Sequence, residues 1–93
     1  MNSTNTNDCE TLHISDREYD AVFRIRGLQE SAHMMVMTAK QDAKAGYILE
    51  GQPKAFDELA FDLSDEISYE LSPPSKLRQL SKLYNRLRPG DWL

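Results

Sequence analysis

The apolar positions of the chain recur mainly at steps of three and four residues, which is the spacing of one face of an α-helix. The first such series predicts a helix over about residues 16–48, and its members are Ala21, Ile25, Leu28, Ala32, Met35 and Ala39. Ser15 followed three residues later by Glu18 has the pattern of a capping box, in which each side chain satisfies the other residue's backbone N–H. This pattern predicts that the first helix starts at Asp16.

Two shorter series predict a second helix over about 54–71 and a third over about 75–88. Pro73 and Pro74 separate them, because proline lacks the N–H donor and restricts the residue before it. No segment shows a convincing alternation of apolar and polar residues. The predicted fold class is therefore all-α: a long helical hairpin with a shorter third helix, forming a small and dimeric helical bundle. Residues 1–11 are almost entirely polar and are predicted to be a disordered leader before a single domain at 12–93.

The composition indicates a soluble protein of modest size. The chain has 93 residues, a net charge of −4 and one cysteine, Cys9, which cannot form an internal disulfide. The first residues lack the features of a signal peptide, and no apolar run approaches the length of a membrane span. We therefore expect a cytoplasmic protein without membrane contact, and the acidic balance argues against a general nucleic-acid binder.

Three of the four methionines cluster with a histidine between Gly27 and Lys40. Helical geometry places Met35 on the core face, whereas Met34 and Met37 point away from it, on the same side as Phe23. A soft-metal site needs ligands that converge, and neighbouring methionines on a helix diverge. Cys9, His13 and His33 also lack the spacing of a zinc site, so no metal or cofactor is expected. Phe23, Met34 and Met37 are predicted either to form a self-association surface or to cover the third helix internally.

Charge is segregated between the second and third helices. Glu58, Asp62 and Asp65 follow the helical spacing and predict an exposed acidic face that binds a basic surface of a larger partner. The third helix carries five cations that are candidates for nucleic-acid contact: Lys76, Arg78, Lys82, Arg86 and Arg88. The alternative is that the two helices pair with each other or expose solvated charges.

Three fragments resemble, in order, the Hha/YmoA family of small helical modulators of nucleoid proteins. They are RIRGLQ at 24–29, ELA at 58–60, and KLY at 82–84 followed by Pro89 and Trp92. The resemblance implies a protein partner that itself binds DNA. The proline pair at Pro73 and Pro74 departs from the family's pattern, so membership is not inferred.

No nucleophile elbow, phosphate-binding loop or metalloprotease motif occurs in the chain, so an enzyme is not expected. The leading hypothesis is a small helical interaction module, homodimeric, that regulates or inhibits a larger protein by occupying its surface. The alternative hypothesis is a transcriptional or nucleoid regulator that contacts nucleic acid through the third helix. A subunit that only completes a larger assembly is a third possibility.

Overall fold

The computed structural model describes residues 9–88. Among them, three strands and four helices follow one another in this order: β1 (Glu10–Ile14), α1 (Asp16–Phe23), α2 (Glu30–Met37), β2 (Lys40–Gln41), β3 (Tyr47–Gly51), α3 (Pro53–Ser68) and α4 (Pro74–Leu87). The strands form an antiparallel sheet in the order β1-β3-β2.

The prediction of an all-α helical bundle is wrong. The predicted long first helix is replaced by two eight-residue helices, α1 and α2, and by the hairpin of β2 and β3. The helical spacing nevertheless identified the right core positions. Ala21 and Ile25 on one side of the break, and Ala32 and Met35 on the other, are at most 8% exposed. The helical spacing of the buried residues therefore continues across the break between α1 and α2, so the spacing does not indicate the break.

The pairing of β1 with β3 supplies the sheet that the sequence analysis missed. Leu12 lies opposite Leu49, and Ile14 lies opposite Tyr47, so the apolar side chains share one face. Thr11 alternates with them and is exposed. This alternation is present in the sequence, but it covers only four residues. It also spans the predicted boundary between the leader at 1–11 and the domain that starts at residue 12. Two-residue periodicity over so short a stretch is a weak signal.

The capping box predicted at the start of α1 is confirmed. The Glu18 N–H donates to Ser15 Oγ at 3.1 Å, and the Ser15 N–H donates to Glu18 Oε1 at 2.8 Å. Glu18 is buried, and the same carboxylate oxygen accepts from Arg86 Nη1 at 3.1 Å. The cap therefore also joins α1 to α4.

The main core lies where α3 and α4 pack together beside the sheet. Leu59 and Leu63 of α3, Leu80 and Leu83 of α4, and Leu49 of β3 are completely buried. Both helices lie close to the ranges that the sequence predicted for them. Residues 1–8 of the predicted leader lie outside the described residues, whereas its last two residues, Glu10 and Thr11, belong to β1.

The turn after α3 contains the one non-glycine residue with positive φ in the described chain, Glu70 at 49°. The Leu71 N–H donates to the Glu66 carbonyl at 3.1 Å, and the Glu70 N–H donates to the Ile67 carbonyl at 3.2 Å. This is a Schellman-type helix end, in which the left-handed position favours glycine.

We expect Glu70→Gly to raise the free energy of unfolding by about 1 kcal/mol, because it removes the steric cost of a left-handed side-chain-bearing residue. Urea denaturation followed by circular dichroism measures the change. Ser68→Gly, within the last turn of α3, should instead lower stability by about 0.5–1 kcal/mol. A Glu70→Gly protein no more stable than the parent would contradict this account of the turn.

Candidate functional site

The outer side of α2 exposes two of the three residues predicted for self-association. Met34 is 56% exposed and Met37 is 52% exposed, while the intervening Met35 and Val36 are buried. Phe23, at the end of α1, is 51% exposed. The three large apolar side chains are therefore available at the surface, and their role in self-association remains a prediction.

The charge content of α2 sets it apart from the other helices. Its sequence ESAHMMVM contains one acid, Glu30 in the first turn, and no lysine or arginine. The exposed positions after that turn carry His33 and the two methionines. A surface helix normally presents charged side chains to water. The outer side of α2 itself therefore carries little charge, although Met34 borders a groove that Glu30, Glu50 and Lys54 also line.

A stack of aromatic rings connects Phe23 to the rest of the fold. The ring centroid of Tyr19 lies 5.8 Å from that of Phe23 and 3.8 Å from that of Tyr47. The Tyr19 hydroxyl donates to the Val36 carbonyl at 3.3 Å. Tyr19 of α1 thus contacts Phe23, Tyr47 of β3 and the last turn of α2.

The environment of Tyr19 also changes its acidity. Partial burial, and then the neighbouring Tyr47, raise the pKa of the Tyr19 phenol above its usual value of 10.0. The neutral phenol is the form that the folded state favours. Its stabilising contribution is therefore complete below the unfolded-state pKa and is lost as the pH rises through the higher folded-state pKa.

We expect Tyr19→Phe to remove a component of the alkaline tyrosinate absorbance change that titrates above pH 10.0 in the folded protein. The measurement is the near-ultraviolet absorbance of both proteins during a pH titration, repeated in denaturant. Tyr69→Phe, which alters an exposed ring, is the matched control. If the component lost in Tyr19→Phe titrates no higher than an ordinary phenol, a raised pKa for Tyr19 is wrong.

The three acids predicted to bind a basic partner do not form one exposed face. Asp62 is only 7% exposed, and its carboxylate accepts hydrogen bonds from Gln29 N at 2.9 Å and from Gln29 Nε2 at 3.2 Å. Glu58 is half-buried and accepts from Ala32 N at 3.1 Å. Both carboxylates satisfy backbone donors at the start of α2, which has no cap from its own N-cap side chain. Asp65 alone of the three is exposed.

The capping of α2 by Glu58 and Asp62 could not be predicted, because the helical spacing shows only which side of α3 the acids occupy. A carboxylate near a helix start is stabilised by the positive end of the helix dipole. Here α2 receives both acids from α3, far away in sequence. No local capping motif announces a helix start at Gln29, so the sequence offered no signal for the pairing.

The five cations predicted to contact nucleic acid are largely engaged within the protein. Lys76 pairs with Asp20, and Arg88 pairs with Asp57 at 3.0 Å. Arg86 pairs with Glu18 and also donates to the His13 carbonyl. Among the described residues, Arg78 and Lys82 are exposed and make no ion pair. The prediction of pairing between α3 and α4 is met by Arg88 and Asp57, whereas the other two pairs reach α1.

Asp20 is the centre of the ion pairs on α1. Its carboxylate binds Lys76 of α4 and also Arg24 at 3.1 Å. The hydrogen bond from Lys76, together with Arg24, lowers the pKa of the Asp20 carboxyl below its usual value of 3.8. The stabilising contribution of Asp20 is therefore present above that value and is lost as the pH falls through the lower folded-state pKa.

A cleft lies between the α1–α2 turn and the α3–α4 turn, and we call it the elbow cleft. Its volume is about 620 Å³. Ile25 and Leu71 give it apolar surface, Arg26 and Gly27 line it on the α1–α2 turn, and Asp65 lines it on α3. Its size falls within the range of about 300–1,000 Å³ that is typical of ligand sites.

The comparisons give no family for the chain: no family model, curated protein or solved structure matches it significantly. The fold implied by the resemblance to the Hha/YmoA family also disagrees with the sheet. Within residues 9–88, no three or more histidine, cysteine or acidic side chains are grouped so that they could hold a metal ion. None of the helices in that range has the length and apolar character needed to cross a membrane.

Proposed function

We propose that this protein is a small interaction module that self-associates through the outer side of α2 and acts by binding a larger protein partner. The observation that carries the proposal is the exposure of Met34 and Met37 on the helix with the fewest charges. Methionine suits an interface because its unbranched thioether side chain adapts to irregular neighbouring surfaces.

The charge of the chain favours α2 over other surfaces for contact between two copies. Each copy carries a net charge of −4, so two copies repel each other over most of their surfaces. The outer side of α2 has one acid in its first turn and uncharged side chains over the following turns, if histidine is neutral. The side chains of α2 therefore add little like-charge repulsion to a contact between two copies.

Phe23 of α1 is the third exposed apolar residue that we include in the proposed surface. Tyr19 holds the Phe23 ring by stacking and contacts the last turn of α2 by a hydrogen bond. Aromatic side chains with limited rotational freedom are favoured at interfaces because little conformational entropy is lost when they are covered. Phe23 therefore complements the two methionines as a third anchor.

We expect Met34→Asp with Met37→Asp to convert a dimer into a monomer, because two carboxylates would then be desolvated at the interface without partners. Light scattering on a sizing column gives the mass of each protein. The matched control is Ser64→Asp with Ser68→Asp, which places two carboxylates one turn apart on α3.

Circular dichroism establishes that each variant is folded before its mass is compared. The proposal expects about twice the 10.7 kDa chain mass for the parent and the control, and the chain mass for the methionine variant. A parent protein that is monomeric throughout the micromolar range, or a methionine variant that remains dimeric, would reject self-association through α2.

Contact with nucleic acid is the second candidate, and it depends on fewer residues than the sequence indicated. Arg78 and Lys82 are exposed without an ion pair in the described chain, whereas the other three cations of the set neutralise acids of the same molecule. This alternative predicts binding to duplex DNA that weakens steeply with salt and is lost in Arg78→Glu with Lys82→Glu. If the protein does not bind duplex DNA at low salt, the nucleic-acid alternative is wrong.

A further inference from the structure

Gly27 occupies a position where nothing in the described structure requires glycine. Its backbone does not have the left-handed conformation that favours glycine, and a Cβ atom added there would meet no other atom within 4 Å. Gly46, in contrast, has a φ of 85° and a Cβ there would collide with the backbone. A glycine also allows the backbone of another molecule to approach closely, and Gly27 lines the elbow cleft.

The backbone beside Gly27 has unused hydrogen-bonding groups. No hydrogen bond joins the N–H or C=O of Arg26 or Gly27 to any other residue in the range 9–88. Backbone donors and acceptors of this kind are the groups that an extended peptide satisfies when it binds through its main chain. Because Gly27 has no side chain, these backbone groups are accessible to a peptide.

The side chains of the elbow cleft define what else an occupant must carry. Arg24 and Lys76 are already paired with Asp20, and Asp62 is hydrogen-bonded to Gln29. Of the remaining charged groups that line the cleft, Arg26 and Asp65 are exposed and have no ion-pair partner in the described chain. Glu66 also lines the cleft and has no ion pair in the described chain, although its carboxylate accepts a hydrogen bond from Ser72. The cleft therefore offers one cation, Arg26, and two carboxylates that no opposite charge of the described chain neutralises.

Apolar surface lies between the polar groups of the elbow cleft. Leu71 is 65% exposed, and Ile25 lines the same cleft. An occupant that covered Leu71 would remove exposed apolar area from water, which favours binding.

We propose that the elbow cleft binds an extended segment of a partner protein. The segment passes its backbone over Gly27, places an apolar side chain on Leu71 and Ile25, and carries an acidic residue for Arg26 and a basic residue for Asp65. This site rests on the proposed binding of a protein partner, and it shares no residue with the self-association surface of Phe23, Met34 and Met37.

The experiment uses the full chain and a display library of random linear peptides. Peptides are selected on the parent protein, and the enriched sequences are synthesised and their affinities measured by fluorescence anisotropy. Gly27→Phe adds a ring to the lining of the cleft, at a position where the Cβ atom itself has no neighbour within 4 Å. Ala43→Phe adds the same ring at an exposed position between β2 and β3 and is the matched control.

The expected result is enrichment of peptides in which an apolar residue is flanked by an acidic and a basic residue. Their binding is lost in Gly27→Phe, is retained in Ala43→Phe, and weakens about two- to fivefold in Arg26→Ala or Asp65→Ala. Failure to enrich any peptide, or equal binding to Gly27→Phe and the parent, overturns the proposal. The mass of the unliganded protein tests self-association separately, so the two proposals fail independently.

Discussion

Gly46→Ala is expected to lower the free energy of unfolding by about 3 kcal/mol or more, because two separate costs coincide at this residue. Its φ of 85° is unfavourable for any residue with a side chain. A Cβ atom there would also lie 2.3 Å from the carbonyl oxygen of Ile14, at the end of β1. Neither the strand nor the following helix can move away without losing its own contacts.

The hydrogen bonds of Gly46 explain why the chain comes so close at this point. Its N–H donates to Asp16 Oδ1 at 3.0 Å, and its carbonyl accepts from the Asp42 N–H at 2.9 Å. The glycine thereby fastens the β2–β3 connection to the junction of β1 and α1. Displacing it is expected to loosen the sheet together with the turn.

Urea denaturation of Gly46→Ala is best compared with Gly27→Ala, since the latter adds the same methyl group in open space. Gly27→Ala should change stability by less than about 1 kcal/mol, and in the stabilising direction if it only restricts the unfolded chain. Gly46→Asn separates the two costs, because asparagine tolerates the left-handed region but still carries a Cβ. Equal stabilities for Gly46→Ala and Gly27→Ala would contradict the close approach to Ile14.

Asp62→Ala is expected to cost about 2–3 kcal/mol, because it removes a charged acceptor from the start of α2 and leaves two N–H donors of Gln29 without that partner. The carboxylate accepts both the backbone and side-chain N–H groups of Gln29. Asp62→Asn retains an acceptor of similar shape and should cost less. Comparing the stabilities of the two variants separates the contribution of the hydrogen bonds from that of the negative charge.

Asp65→Ala, three residues further along α3, is the control for Asp62→Ala. Asp65 is exposed, and its replacement should change stability by no more than about 0.5 kcal/mol. Hydrogen exchange of the α2 amides should accelerate in Asp62→Ala more than in Asp65→Ala, since only the first removes one of the two carboxylates that accept from the start of α2. If the two alanine variants have equal stability and exchange, Asp62 does not hold α2.

Helical periodicity predicted α3 and α4 because each is long enough for several turns to show one buried face. The same method failed between residues 16 and 48, where Ala21, Ile25, Ala32 and Met35 kept the helical spacing across a break. Each side of that break is buried against the same core, so spacing alone does not reveal it. The start of α2 depends on acids of α3, and such long-range pairing is not encoded near Gln29.

Features of the candidate surfaces that follow from local helical geometry could be predicted from the sequence. Features that depend on contacts between distant elements could not. The outward direction of Met34 and Met37 follows from helical geometry around Met35 and is observed. The buried position of Asp62 and the ion pairs of Arg86 depend on how distant elements meet. The elbow cleft has the same origin, because two turns far apart in sequence form it.

The most direct test of the interaction proposal is a nuclear magnetic resonance experiment on a mixture of two samples of the protein. One sample has isotope-labelled methionine methyl groups, and the other is unlabelled, so only magnetisation transferred between copies is detected. The account predicts transfer from the methyl groups of Met34 and Met37 to the unlabelled copy, and none from the buried Met35. Absence of transfer from both exposed methionines at a concentration where the protein is dimeric, or a protein that never dimerises, would contradict it.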